Sequence, residues 1–377
     1  MKNLNMFCPI NTTGYGITSK NITIELNKLF NVSLFPIGSH VNIDTEQEKT
    51  ILSKCLSNSN TYDPTAPCIK IWHQHELASR IGTGNYYVLP FFEADKLQDR
   101  EIHQINCADH VFTASKWGKE TLEKNNITKP ISVTPLGVNL DIFQQPQKIR
   151  IDNGKYVFFH IGKWEKRKGQ DVLIEAFNRA FEKTDNVELR LLPQNPFLTK
   201  EEEEAWHSLI KNSKLSDKIN AYNRLPTHYH LAQFIFEADC GVFMSRAEGW
   251  NNEIPEVMAM NKPVIATNYS AHTEYCNKEN SFLIDISETE PAIDNKWFFG
   301  HGNWAKIGEE QIEQTIEYMR YVYKNNIKTN SHGLETAQQL SWKNTASIIS
   351  NILTSNKKSD NANTTKKRGR KPKKVSS

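Results

Sequence analysis

Short runs of β-branched and aromatic residues alternate with stretches whose apolar positions recur every three or four residues, up to about residue 355. Alternation of that kind marks strands joined by crossover helices into a parallel sheet. Residues 6–10 read as a first strand, and residues 18–30 as a helix with Ile22, Leu26 and Leu29 on its apolar stripe. Strands are expected at 68–72, 108–114 and 131–135, with a helix over 116–124. Residues 144–154 then break the pattern: they are polar, aperiodic and interrupted by Pro146, as a linker is. Beyond them, 156–161 is a buried strand, and 171–181 is a helix carrying Val172, Leu173, Ala176, Phe177 and Ala180 on one face. Strands at 187–192, 240–244 and 263–267 and helices at 309–324 and 342–353 complete the series. The pattern predicts an α/β protein of two Rossmann-like halves, 1–147 and 148–355, with a ligand in the crevice between them.

Length and composition agree with this partition and exclude several classes. A chain of 377 residues exceeds one ordinary α/β core. No apolar run approaches the roughly 18 residues of a membrane span, and the N-terminal run is too short for a secretory signal. The six cysteines lie far apart without a C-x-x-C pair, which reads as reduced thiols of a cytoplasmic protein. The net charge of +3 is unevenly placed. Residues 356–377 hold nine Lys or Arg against one Asp, so the body is mildly acidic and a basic, disordered tail supplies the excess.

Two segments carry candidate chemistry. In the first, a strand ends at Gly162, a cationic loop bearing Lys163 and Lys168 follows, and a helix starts after Gly169. Two ammonium groups on a loop at a strand's carboxyl end suit a diphosphate; a solvated basic loop explains the charges equally well. In the second, Glu248 sits in an irregular loop, Asn251-Asn252-Glu253 follows, and a helix is expected to begin near Pro255, with Glu256 in its first turn. Orphan N–H groups and the dipole at such a turn favour an anion, and a carboxylate beside it can accept both hydroxyls of a ribose. Favourable helix-start electrostatics is the plainer account of Glu256 taken alone.

Taken together, the segments resemble the retaining nucleotide-sugar glycosyltransferases of the GT-B fold, family 4. The resemblance rests on Gly162-Lys163…Lys168-Gly169, on two glutamates with seven residues between them (Glu248 and Glu256), and on Pro263-Val-Ile-Ala-Thr267. In the N-terminal half it rests on Phe112-Thr-Ala-Ser115-Lys-Trp117, Pro135-Leu-Gly137-Val-Asn139 and Gly14-Tyr15-Gly16. It covers roughly residues 5–355 and implies a donor site in which Lys163 and Lys168 neutralise the diphosphate. By the same resemblance Glu256 holds the ribose and Glu248 meets the sugar near its reacting carbon. The backbone after Glu248 and the turn at Gly16 would approach phosphate or sugar. Asn251 and Asn252 stand where a glycine-rich loop is commoner, so side chains narrow the pocket there. His75, or alternatively His73 of Trp72-His-Gln-His-Glu76, matches the family's sugar-side histidine. The resemblance also implies retention. No Asp-x-Asp motif is present, so neither a metal nor a cofactor is expected beyond the nucleotide-sugar substrate.

The acceptor, whether glycan, lipid or protein, is not decodable from the N-terminal loops at 12–18, 61–67 and 80–85. Residues 366–374, with Arg368-Gly369-Arg370 at their centre, resemble an AT-hook, which leaves nucleic acid or another polyanion as a partner and the nucleus as an address. Competing readings are a nucleotide-sugar epimerase or phosphorylase on the same scaffold, or a DNA-associated protein whose α/β body has lost catalysis.

Overall fold

The computed structural model describes residues 1–38, 43, 45–144 and 154–355. The basic stretch 366–374 and nearly all of the 144–154 linker lie outside the described residues.

The N-terminal half runs β1 (Asn3–Cys8), α1 (Gly14–Asn27), β2 (Asn31–Pro36), α2 (Glu46–Asn58), β3 (Cys68–Ile71), β4 (Tyr86–Leu89), α3 (Asp99–Asn106), β5 (His110–Thr113), α4 (Lys116–Lys124) and β6 (Ile131–Val133). Its six strands form one parallel sheet in the order β2-β1-β3-β4-β5-β6. The C-terminal half runs β7 (Tyr156–Ile161), α5 (Gln170–Ala180), β8 (Val187–Leu192), α6 (Lys200–Lys211), β9 (Ile219–Ala221), α7 (His228–Phe236), β10 (Cys240–Phe243), α8 (Glu253–Ala259), β11 (Val264–Thr267) and β12 (Phe282–Ile284). These strands form a second parallel sheet in the order β12-β11-β10-β7-β8-β9. An antiparallel hairpin, β13 (Thr289–Ile293) with β14 (Phe299–Ala305), follows, and then the helices α9 (Glu309–Lys324), α10 (Ser331–Gln339) and α11 (Trp342–Ser355).

The doubly wound architecture read from the pattern is therefore present. Six strands escaped the pattern, namely β2, β4, β9, β12, β13 and β14, and the first two show why. β4 is four fully buried residues, Tyr-Tyr-Val-Leu, with no alternation to betray it. β2 begins at Asn31 and ends at Pro36, both poor strand formers. The first helix starts four residues earlier than expected, so Gly14 and Gly16 lie inside its first turn. Leu29 falls past its end and is exposed, while Ile22 and Leu26 are buried as expected.

Several glycines set how closely the segments approach. A Cβ at Gly16 would lie 2.2–2.4 Å from Asn11 atoms, so α1 can leave β1 at this angle only with glycine there. Gly169 has φ +73°, and a Cβ would lie 2.0 Å from the Met244 carbonyl oxygen. This contact seats the cationic loop on the end of β10.

The C-terminal helix closes the fold against the N-terminal half. α11 packs on α1, Thr345 Oγ1 donates to the Pro135 carbonyl at 2.7 Å, and a Cβ at Gly137 would strike the Trp342 nitrogen at 2.1 Å. Trp342, Ala346, Ile349 and Leu353 share one buried apolar cluster with Leu4, Ile22 and Leu26. Each of the six cysteines is a free thiol, and only Cys107 is exposed. No described helix is long and apolar enough to cross a membrane.

Candidate functional site

The carboxyl ends of β7 and β10 bring the two sequence segments together. After β7, Gly162 takes φ 156°, and the Lys168 stem and the His160 ring leave little room for a Cβ there. The loop then turns back through a 3-10 turn, Lys166–Lys168, to Gly169. After β10 the chain passes Ser245, Arg246 and Glu248, and the backbone N–H of Arg246 donates to the Arg167 carbonyl at 2.7 Å. The two loops are thereby knitted side by side.

Between them runs an alternating row of charges, buried except at its outer end, Lys163. Lys163 Nζ lies 2.8 Å from Glu165 Oε1, and Arg167 Nη2 donates to Glu165 Oε2 at 2.8 Å. Arg167 Nη1 donates to Glu248 Oε2 at 2.7 Å and also to the Ala247 carbonyl at 2.8 Å. Glu248 Oε1 receives Lys168 Nζ at 2.8 Å and the Ser245 hydroxyl at 2.7 Å. Three cations face two carboxylates, so the row keeps an excess positive charge at the mouth of the crevice. Burial pushes the Glu248 carboxyl up, but the Arg167 and Lys168 charges outweigh it and hold the group well below the usual carboxylate range. Burial lowers the pKa values of Arg167 and Lys168, and the carboxylates around them more than restore both: Glu248, Glu165 and Glu93 for Arg167, Glu248 and Glu253 for Lys168.

Glu256 has the opposite environment. It is 6% exposed, and among the described residues its carboxylate has neither a hydrogen-bond donor nor a cation. Burial, assisted by the Glu253 charge, raises its pKa well above 4.5. The helix that carries it begins at Glu253, two residues before the expected start. Asn251, at φ 75°, turns the chain early, and proline is tolerated anywhere in a first turn, where its missing N–H has no helical partner. Asn251 is buried: its Nδ2 donates to His272 Nε2 at 3.1 Å, and its Oδ1 accepts from the Glu253 N–H at 3.1 Å. Asn252 Oδ1 is buried without a partner. Its Nδ2 lies 3.9 Å from where a Cβ on Gly14 would sit, so the α1 start and the Asn251-Asn252 loop face each other across the crevice.

The opposing wall is aromatic. Tyr15, between the two glycines, packs against His73 (4.6 Å between ring centroids), Phe91 (5.2 Å) and Trp72 (5.6 Å), and donates its hydroxyl to the Phe91 carbonyl. Burial lowers the His73 pKa to about 4, aided by His75 and by the charge of Lys163 from the other half. His75 stacks on His73 at 5.2 Å and lines a separate cavity of about 420 Å³ with Lys70, Trp72 and Arg100. His73 is thus the member of the pair that feels the cationic loop.

Motif reading assigned no role to three residues of the site. Arg167 lies within the basic loop but was hidden between two lysines. Tyr15 was masked by its flanking glycines. Glu93 follows the Pro90-Phe-Phe run just after β4; a charge directly after a buried strand is the signal that would have found it.

With this geometry in view, the comparisons are specific. Residues 155–295 match the model of the glycosyl transferases group 1 family. An uncharacterized glycosyltransferase of Methanocaldococcus jannaschii is 28% identical over 175 residues, 42% of this chain and 40% of that protein. The capsular polysaccharide biosynthesis glycosyltransferase CapM of Staphylococcus aureus is 25% identical over 229 residues, 56% of this chain and 55% of that protein. The matches therefore span about half the length of these relatives or less. The HepE protein of Anabaena, solved in complex with UDP-glucose, superposes with a TM-score of 0.68 at 15% identity, over 94% of this chain and all of that one. The two-sheet architecture is the GT-B fold, and residues 155–295 within it match the glycosyl transferases group 1 model.

Proposed function

We propose that the protein is a hexosyltransferase that moves a sugar from a nucleoside-diphosphate donor to an acceptor hydroxyl with retention and without a protein-held metal. The observation that carries this reading is that the loop whose Glu248 pairs with the cationic row, Lys163, Arg167 and Lys168, leads directly into the helix bearing a bare, buried Glu256. Such a site is built for a ligand with hydroxyls at one end and a diphosphate at the other. Glu256 accepts the two ribose hydroxyls, and each bond to its carboxylate is charge-assisted. Lys163 and Lys168 leave their carboxylate partners for the diphosphate and stabilise the charge that grows there as the bond to the sugar breaks. Complexes with UDP-glucose in the structural neighbour HepE support a uridine donor.

Glu248 acts mainly through the cations. Three donors already fill its lone pairs, which suits a carboxylate that positions Arg167 and Lys168 better than one that attacks carbon. Retention then follows a one-face course. The anomeric carbon–oxygen bond to the diphosphate breaks, the acceptor oxygen bonds the same face, and its proton passes to the departing phosphate oxygen. Asn251 and Asn252 shape the donor pocket opposite Gly14 and Gly16, and His73 or His75 meets the sugar from the N-terminal side.

The test is nucleoside diphosphate release from UDP-, GDP- and ADP-sugars by wild type and Lys168→Ala, with and without excess EDTA. Selective release from one nucleotide series, suppressed by the substitution and indifferent to chelator, is the expected result. Silence across all three series, with no nucleotide binding by calorimetry, would sink the transferase reading. Activity lost in EDTA and restored by Mn²⁺ or Mg²⁺ would overturn the metal-free part alone.

A further inference from the structure

The hairpin β13–β14 is inserted in the C-terminal half yet reaches across to the N-terminal one. The N–H of Asp95 donates to the Asn303 carbonyl at 3.1 Å, and the N–H of Asn303 donates to Asp95 Oδ1 at 2.6 Å. Gly302, at φ +83°, permits the approach, because a Cβ there would lie 3.0–3.1 Å from Ala94 and Lys96. Trp304 is fully buried against Ala94, Ala247 and Ala292. The tip is equally fixed: Asp294 Oδ1 accepts the N–H groups of Lys296, Trp297 and Phe298, Lys296 pairs with Glu202, and Lys166 Nζ donates to the Ile293 carbonyl.

A rigid hairpin held at both ends nevertheless leaves large aromatic faces in water. Trp297 is 52% exposed, Phe299 73%, and neighbouring Phe197, edge-on to Trp297 at 5.9 Å, 51%. Lys163 Nζ stands 5.4 Å over the Phe197 ring, so this aromatic run starts at the cationic row. Trp297 and Phe299 line a cleft whose other wall is Gln74, Glu93, Gln98 and Glu101 of the N-terminal half. Gln74 and Glu101 are already hydrogen-bonded to each other. Glu93 has no hydrogen bond or ion pair among the described residues, although the Arg167, Glu248, Glu165 and Lys163 charges all act on it, in that order.

Resting on the transferase reading above, we infer that this cleft is the acceptor subsite and that it takes a saccharide, with Trp297 and Phe299 stacking on the sugar ring and Glu93 accepting a hydrogen bond from the hydroxyl to be glycosylated. Aromatic faces beside a few convergent acceptors suit a ring with an apolar face and a hydroxyl rim. Glu93 and Glu101 face Lys96 and His301 in the lining, so the cleft lacks the excess of cations that an anionic headgroup or nucleic acid needs. Glu93 sits between the aromatic wall and the cationic row, where an acceptor oxygen must meet the donor's anomeric carbon. With no partner of its own among the described residues, Glu93 has acceptor oxygens left for a hydroxyl.

The experiment uses the full chain and a panel of methyl glucosides, galactosides, mannosides and N-acetylglucosaminides as probes, read by saturation-transfer NMR. At least one glycoside is expected to receive saturation from wild type, and Trp297→Ala and Phe299→Ala are expected to weaken its binding by about tenfold each, the loss of one stacked face. The same variants are expected to raise the acceptor KM while leaving nucleoside diphosphate affinity and donor hydrolysis unchanged; Glu93→Gln lowers kcat of transfer instead. Equal binding by wild type and Trp297→Ala, or no binding of any panel glycoside, overturns the subsite. So does binding of phosphatidylglycerol vesicles that Trp297→Ala abolishes, which would make the hairpin a membrane contact. The two readings fail separately. Without nucleotide binding or donor turnover in wild type the transferase reading falls, whereas a glycoside signal lost in Trp297→Ala keeps the saccharide cleft.

Discussion

Glu248 and Glu256 are the same residue type, eight positions apart and almost equally buried, yet their surroundings are opposite. Glu248 is enclosed by Arg167, Lys168 and the Ser245 hydroxyl, which hold it ionised. Glu256 meets no donor among the described residues, and its charged neighbour is another glutamate. A buried carboxylate with its partners in place is part of the protein's framework, because removing one member strands the others. A buried carboxylate without partners costs stability, and a ligand that supplies donors recovers it. Burial alone therefore does not separate framework from binding site; partner inventory does.

The largest effect should come from breaking the framework side. Glu248→Gln strands Arg167 and Lys168 and is expected to cost about 3–5 kcal/mol of stability at neutral pH. The pH dependence has a definite sign. The folded-state pKa of Glu248 lies below its unfolded value, so the carboxylate's contribution is complete above the unfolded value of about 4.3. It fades as pH falls below that. The gap between denaturant melts of the two proteins should accordingly narrow from pH 5 toward pH 3, and a gap below 1 kcal/mol at pH 7 would show that the row is not a unit.

Breaking the other side should do less to the fold and more to binding. Glu256→Gln is expected to weaken nucleoside diphosphate binding by about a hundredfold, roughly the worth of one to two charge-assisted hydrogen bonds. Its melting temperature should rise by a few degrees at pH 7–8, about 1 kcal/mol on a domain of this size. Here the sign reverses. The folded pKa is raised, so the stability tied to the protonated form is complete below about pH 4.3 and is lost as pH climbs toward the folded value. The variant's advantage should therefore vanish in acid. Calorimetric titration with the nucleotide that wild type binds, paired with thermal scans, checks both halves; tight binding by a destabilised variant would contradict the comparison.

That contrast was not legible in the chain, whereas the scaffold largely was. Strands such as β7 and β8 declare themselves as buried runs bounded by polar turns, and α5 and α9 show their apolar stripes. The glutamate pair with seven residues between its members and the Gly162…Gly169 loop marked the right segments. Spacing, however, says nothing about which cation turns toward which carboxylate. Lys168 and Glu248, read separately as ligand contacts, pair with each other, and Arg167 emerges as the link only when both loops are folded. The hairpin was invisible for another reason. Its strands join by a register shift near Pro291 and carry Gly300 and Gly302, so neither alternation nor β-propensity marks them.

The smallest effect belongs to the outer end of the row and decides how far the framework extends. Lys163 pairs with Glu165, but its side chain is 43% exposed, and solvent screens the pair. Exposed ion pairs are worth about 0–1 kcal/mol, so Lys163→Ala should barely move the melting point. If Lys163 exchanges Glu165 for the donor diphosphate, the same variant should still weaken nucleotide binding, by about tenfold at low salt. That penalty should shrink as ionic strength rises, since a half-exposed cation is screened more than the buried Lys168. The measurement is nucleotide affinity for wild type, Lys163→Ala and Lys168→Ala across a salt series. Parallel salt dependences for wild type and Lys163→Ala would place Lys163 outside the donor site and confine the phosphate-binding cations to Arg167 and Lys168.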